Sequence, residues 1–272
     1  MTKSGRKKLV IELQYLGTAY DGWQPQPNQS SVYDVVAAAL HKCTGETHGP
    51  VVAGRTDKGV HARHQLVSVR TERSHDHEAL VAALNEALPK DVRVLSVREA
   101  PATFHATTSV RQKTYAYYLA LGGAADDVAW GVEGLDVDRM RACSQRFVGE
   151  HDFKVFSAGG KASGTTVRSI RAVVVKDLEH VDLPFVGRVQ GPLVRVAFEG
   201  DGFLKHQVRR MVGALVRVGR GELAESVVAE ALRDPATPRP EISSRAFVAP
   251  ACGLPACGHT PNATSPSGPG LA

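Results

Sequence analysis

Three stretches of this chain carry side chains whose types and spacing could do chemistry. The first is Ala53-Gly54-Arg55-Thr56-Asp57-Lys58-Gly59-Val60-His61-Ala62, where one carboxylate, Asp57, stands between two cations, Arg55 and Lys58. Opposite charge lowers the pKa of a carboxyl group, so such an aspartate can stay ionised even when partly buried. A surface turn with merely solvated charges has the same composition, and structural ion pairs perturb pKa values too. The second stretch is Lys113-Thr114-Tyr115-Ala116-Tyr117-Tyr118. On a strand, Tyr115 and Tyr117 face one way and Tyr118 the other, as a stacking surface or as ordinary cross-strand packing. The third runs from Gly202 to Leu215. At ~100° per residue, Leu204, Val208, Met211, Val212, Leu215 and Val216 share one apolar arc. Arg210, Arg217 and His206 fall outside that arc, and Arg209 lies at its edge. A guanidinium there needs a carboxylate or phosphate partner, because an unpaired buried charge is expensive, unless it snorkels to water.

The elements that must position these groups follow from periodicity. Residues 9–16 (LVIELQYL) predict a strand, and Gly17 to Pro27 a loop rich in glycine, proline and aromatics. Ser30 or Ser31 caps a helix with apolar residues at 32, 35, 36, 39 and 40. Pro50-Val51-Val52 and the alternating Gln65 to Arg70 place Asp57 on a loop between strands, bracketed by Gly54 and Gly59. A helix over 77–88 stops at Pro89, and a strand covers 92–97. The order strand, helix, strand, strand, helix, strand is that of a ferredoxin-like α+β unit. The second half repeats the scheme less tidily, with a strand over 107–121 and a helix over 137–148. Strands over 167–177 and 193–198 follow, then helices over 203–218 and 223–232. Gly122 to Gly131 and Ala158 to Thr165 read as loops, and no sequence repeat of fixed period is present.

Composition leaves room for a nucleic-acid partner without demanding one. The chain has 272 residues, 33 Lys+Arg against 28 Asp+Glu, a net charge of +5 and 43% hydrophobic residues. That is an ordinary globular balance, mildly basic, with length for one large domain or two small ones. No apolar run approaches the ~20 residues that span a bilayer. Cys43, Cys143, Cys252 and Cys257 are scattered, so reduced thiols and a cytosolic setting are the default, with an organelle left open. Cys252, Cys257 and His259 are too loosely spaced for a zinc site and lack an evident fourth ligand. The polar, proline-rich segment from Gly258 onward predicts a disordered tail.

Taken together, the motifs resemble the TruA family of pseudouridine synthases. Gly54-Arg55-Thr56-Asp57-x-Gly59-Val60-His61-Ala62 is similar to that family's signature loop, and Phe104-His105-Ala106 followed by Lys113-x-Tyr115-x-Tyr117 to its basic-x-Tyr-x-Tyr segment. His206-x-Val208-Arg209 resembles its His-x-Val-Arg helix. Gly22-Trp23-Gln24, Leu84-Asn85, Leu88-Pro89 and Pro250-Ala251-x-Gly253-Leu254 resemble further landmarks in the same order, so the likeness covers roughly residues 8–255. Lys58 stands where bacterial members often have a small residue, and looks more like eukaryotic-type relatives. The segment Pro255 to Gly258 lacks the alternating strand expected to close the sheet.

The resemblance implies an α+β fold of two ferredoxin-like (RRM-like) subdomains whose antiparallel sheets join across a central catalytic cleft. Residues 1–105 would carry the catalytic loop, 106–257 the second catalytic subdomain and 258–272 the tail. It implies isomerisation of uridine to pseudouridine in tRNA, in the anticodon stem-loop at positions 38–40, with no cofactor or metal. Asp57 would act as nucleophile or initiate glycal formation, Arg209 would pair with it, and Tyr115 would stack on the uracil. Arg55 would fill the gap left by the flipped uridine. Lys58, His61, Lys113, Lys205 and Arg210 would meet phosphates, and Leu254 would line the base pocket. tRNA is the partner, a homodimer is possible, and no membrane is involved. Two other readings use the same residues differently: an RNA-binding or ribosome-assembly factor retaining the fold, and a metabolic enzyme with a small acidic substrate. The first has no need of Asp57, Tyr115 and Arg209 together, and the second leaves Arg55 and the basic helix face without a purpose.

Overall fold

In the computed structural model, residues 7–28, 30–122, 128–158, 164–234 and 236 are described, together with the main chain of 252–254. The fold is mixed α+β. β1 (Lys7–Tyr15) pairs antiparallel with β3 (His61–Thr71) on one side and β4 (Val92–Ala100) on the other, while the two-residue β2 (Val51–Val52) pairs with β3. α1 (Val32–Thr44) begins with a reciprocal cap: Ser31 accepts from the Asp34 amide, and the Asp34 carboxylate accepts from the Ser31 amide. Gly45 ends it in the left-handed conformation. With α2 (His77–Ala87), α1 covers one face of these strands. Leu9, Ile11, Leu13, Val36, Leu40, Val67, Leu80, Leu84 and Val94 form that core. The opposite face is covered differently. The sequence predicts a strand from Thr107, but Ala106–Ser109 is a short helix, α3. Phe104, Ala106 and Val110 pack there on Val10, Ala53 and Leu66, and Lys8 donates its ammonium to the Phe104 carbonyl.

β5 (Lys113–Leu121) opens the second half. It pairs antiparallel with β9 (Gly187–Gly200) and parallel with β6 (Trp130–Val132). α4 (Val137–Ser144) continues as a 3-10 turn to Phe147, followed by β7 (Gly149–Asp152). β8 (Val167–Leu183) and β9 form a long hairpin that extends well beyond the stretches the sequence predicts. α5 (Gln207–Gly219) and α6 (Glu225–Arg233) complete the helices. The core of this half gathers Tyr117, Leu119, Met140, Phe147, Phe153, Phe156, Val194, Phe198, Met211, Val212 and Leu215, and takes in Val60 from the first half.

β10 (Cys252–Leu254) lies between the halves. It runs parallel to β3 (Cys252 opposite His61) and antiparallel to β5 (Gly253 opposite Tyr115). The strand order is therefore β4-β1-β3-β10-β5-β9-β8-β7, one sheet under two cores. Residues 255–272, where the sequence predicts a missing closing strand and a tail, lie outside the described residues.

Candidate active site

The loop carrying Asp57 is fastened through its main chain. The Ala53 amide donates to the Leu66 carbonyl at 2.8 Å, and the Gln65 side-chain amide closes both ends of Gly54: its Nε2 donates to Gly54 O (2.7 Å) and its Oε1 accepts from Gly54 N (3.3 Å). A buried Gln65 satisfies the loop's polar groups where no ladder reaches them. From the other side, the glycine- and aromatic-rich loop after β1 contributes its own backbone. Trp23 N donates to Thr56 O (3.0 Å), and Tyr20 O accepts from Gly59 N (3.2 Å). The approach is too close for a side chain. A Cβ on Gly22 (φ +92°) would stand 2.6 Å from Thr56 O, and one on Gly17 2.1 Å from Val60 O. Thr56 Oγ1 hydrogen-bonds the Tyr15 hydroxyl at 2.8 Å. This is a built loop, not a solvated turn.

Only side chains are left free at the rim. Arg55 is exposed, and Lys58 is 75% exposed with its ammonium 2.7 Å from Asp21 Oδ1. That contact, chiefly, holds the Asp21 carboxyl down at about 2. Asp57 is half-buried and points across the sheet junction to the start of α5. Its Oδ2 lies 3.6 Å from Arg209 Nη2 and 3.5 Å from His206 Nε2. The pairing of Asp57 with Arg209 that the sequence suggests is thus present in the structure. α5 starts four residues later than its apolar period predicts, because His206 adopts φ 61°, ψ 9° ahead of the first turn. Arg209 is 18% exposed and also interacts with the Tyr117 hydroxyl; its Nε has no hydrogen-bond partner among the described residues. Burial pushes the Tyr117 hydroxyl up to about 12 against the pull of Arg209.

Tyr115 reaches the loop from β5. Its hydroxyl would meet a Cβ on Gly54 at 2.8 Å, and its ring meets Phe203 edge-on at 5.1 Å. Burial, then the negative potential near Tyr15 and Asp57, raises its pKa, so the phenol is neutral at ordinary pH. Tyr118 points to the other face, into a small cluster with Val128, Val181 and Leu193.

The remaining expected contacts divide. Lys205 is exposed and Arg210 half-buried on the same helix start. Lys113 is 9% exposed beside Gly54, and burial lowers its pKa, with Asp201 opposing. His61 is corrected: it is 6% exposed, and its Nδ1 accepts from Gly17 N at 2.8 Å, so it fastens the loop and does not face solvent. Only the main chain of Leu254 is described, opposite Thr114 and next to the pair that faces Tyr115. His206 is the site residue that the sequence reading left without a role. Its spacing of three residues from Arg209 at a helix start is the signal that places both on one side.

Comparison with known proteins follows this geometry. A family profile described as tRNA pseudouridine synthase matches residues 143–256, which include Arg209 but not the Asp57 loop. A protein of Pelobacter propionicus named tRNA pseudouridine synthase A is 38% identical over 252 residues, 91% of this chain and 96% of that protein. One of the same name from Geobacter sp. strain M21 is 38% identical over 231 residues, 83% and 88% of the two chains. One from Geobacter sulfurreducens is 37% identical over 228 residues, covering 82% and 88%. All three sources are bacteria. A solved Cbf5-Nop10-Gar1 complex aligns with a TM-score of 0.32 at 15% identity, over 76% of this chain and 45% of that one, too slight a likeness to place any element.

Proposed function

The chain belongs to the tRNA pseudouridine synthase A family, and we propose that Asp57, Arg209 and Tyr115 carry out its isomerisation of uridine to pseudouridine in the anticodon stem-loop of tRNA, at positions 38–40. The observation that carries this reading is the meeting of the loop and α5, Asp57 Oδ2 to Arg209 Nη2 at 3.6 Å, across a junction of two separately packed halves. A pure RNA binder has no use for a carboxylate held there, since it repels phosphate.

The reaction breaks N1–C1′, turns the uracil and forms C5–C1′; the C5 proton leaves and N1 takes one up, so no electrons are gained or lost. Asp57 either attacks the sugar at C1′ or removes the proton that begins glycal formation. Both routes need it ionised. Arg209 supplies an opposite charge 3.6 Å away, worth on the order of 1 kcal/mol because Asp57 is half open to water. Tyr115, neutral, stacks on the uracil and offers a hydroxyl for proton transfer as a donor rather than as a phenolate base. The uridine must leave its stack to reach this depth, and exposed Arg55 at the loop's rim fills the gap. Lys58, Lys205, Arg210 and the partly desolvated Lys113 meet the RNA backbone, and Leu254 borders the base. Shape and phosphate contacts dominate over base readout, as for stem-loop RNA in general.

The two cores support a description as two ferredoxin-like subdomains, 1–105 and 106–257, with the catalytic cleft at β3-β10-β5. We place the protein in the cytoplasm, acting on tRNA, as a homodimer. The test is tritium release from [5-³H]uridine-labelled tRNA by the purified chain, followed by mapping of the modified uridine. Release with pseudouridine at 38–40 is expected; release mapped elsewhere overturns the site, and no release from any tRNA overturns the activity.

A further inference from the structure

Two side chains, not one, converge on the carboxylate of Asp57. Arg209 and His206 both approach Oδ2, at 3.6 and 3.5 Å, the first from the opening turn of α5 and the second from the residue just before it. His206 reaches it from an unusual backbone. Its φ of 61° lies in the left-handed region, which among the described non-glycine residues only Phe185 shares. That conformation is disfavoured for a side chain with a Cβ, and strain of this kind persists where the surroundings over-determine it. Starting the helix does not call for the imidazole, because the ring makes no capping hydrogen bond. Glycine or asparagine would serve a left-handed cap better. The ring's contact with Asp57 is what the strained backbone provides.

Resting on the reading above, we propose that His206 is a positioning residue for Asp57: its neutral ring donates from Nε2 to Oδ2, and with Arg209 it turns Oδ1 toward the substrate sugar. The groups around it agree with a neutral ring. Burial lowers its pKa most; Asp57 on the loop opposes this, while Arg209, Lys205 and Arg210 on its own segment add to it. One donor cannot fix the rotation of a carboxylate, whereas two on the same oxygen can. Protonation would place a second full cation against Asp57, tightening the hold and making the carboxylate a poorer nucleophile or base. The sign follows. The pKa is depressed, so the neutral form is present above it, and kcat falls as pH drops through a value below that of an ordinary histidine.

The experiment compares wild type, His206→Gly and His206→Gln by tritium release at saturating tRNA, with KM, tRNA affinity and melting temperature measured alongside. Gly relieves the backbone and removes the ring; Gln restores an N–H at a similar distance. We expect His206→Gly to lose about tenfold in kcat with KM, affinity and melting temperature within about twofold or a few degrees of wild type, and His206→Gln to recover part of the loss. The acid limb of the wild-type kcat profile should be missing from both variants. Wild-type kcat and profile in the Gly variant would overturn the proposal. So would a loss confined to KM, or a Gln variant no better than Gly. A wild type that releases no tritium overturns the isomerase reading itself, an outcome separate from all of these.

Discussion

On its loop side, Asp57 is held by geometry: main-chain hydrogen bonds with Trp23 and Tyr20, the Gln65 side-chain amide on the Gly54 backbone, and glycines at 17 and 22 that let two backbones touch. On its α5 side it is held by polar side chains, a guanidinium and an imidazole 3.5–3.6 Å away. The two arrangements do different work. Backbone contacts fix where the carboxylate stands but cannot tune its electrostatics, since they touch the chain and not the oxygen atoms. The α5 side chains tune charge and rotation but would be useless if the loop drifted, because a displacement of about 1 Å can cost a hundredfold in rate.

The contrast predicts two kinds of mutant. Among the groups that hold Asp57, the largest effect is expected from Gly22→Ala, on the geometric side. A methyl 2.6 Å from Thr56 O, at φ +92°, must push the loop away. Stability should fall by about 1–3 kcal/mol and activity by at least about a hundredfold, seen together in a thermal melt and a tritium-release assay. On the ionic side, Arg209→Ala should cost about 10- to 100-fold in kcat with a far smaller change in melting temperature, and Arg209→Lys should recover little because a point charge lacks the fork that spans Asp57 and Tyr117. If Arg209→Ala unfolds the protein as readily as Gly22→Ala, the contrast is broken.

Tyr117→Phe sharpens it further. Removing the hydroxyl frees Arg209 on one side without touching Asp57, so we expect a fall of about three- to tenfold in kcat. The hydroxyl's pKa is raised in the folded state, so its contribution to stability is complete below pH 10 and is lost as pH climbs through about 12. The wild type should therefore lose stability across that window more steeply than the Phe variant in denaturant melts. The smallest effect belongs to Lys58→Ala. Lys58 itself is 75% exposed, and a pair so open to water contributes little, so turnover should stay within about twofold while the salt dependence of tRNA binding weakens.

Much of this was readable from the chain before any coordinates. Alternation and helical spacing locate β1, α1, α2 and β4 within a few residues. The same periodicity sets Arg209 at the edge of an apolar arc, where it needs a partner. What escaped depends on tertiary contacts. Thr107-Thr108-Ser109-Val110 has the composition of a strand, yet folds as a short helix because Ala106 and Val110 must cap the open side of Val10 and Leu66. The left-handed turn at His206 delays α5, and nothing in the apolar pattern marks a residue whose purpose is to carry a ring back toward another loop. β10 is only three residues long, too short for a side-chain period to mark it as a strand. His61 looks like a loop cation by its neighbours, and only the approach of Gly17 shows that it is an internal acceptor.

The most direct test of the central claim, that Asp57 acts chemically and is not merely part of an RNA surface, is the Asp57→Asn variant assayed for tritium release and tRNA affinity side by side. Asparagine keeps the shape of the side chain but can neither attack the sugar nor take its proton. The account predicts release reduced by at least about a thousandfold, with affinity for tRNA unchanged or slightly stronger as one negative charge is removed from a phosphate-binding surface. Release near the wild-type rate, or activity lost only in step with binding, would contradict it.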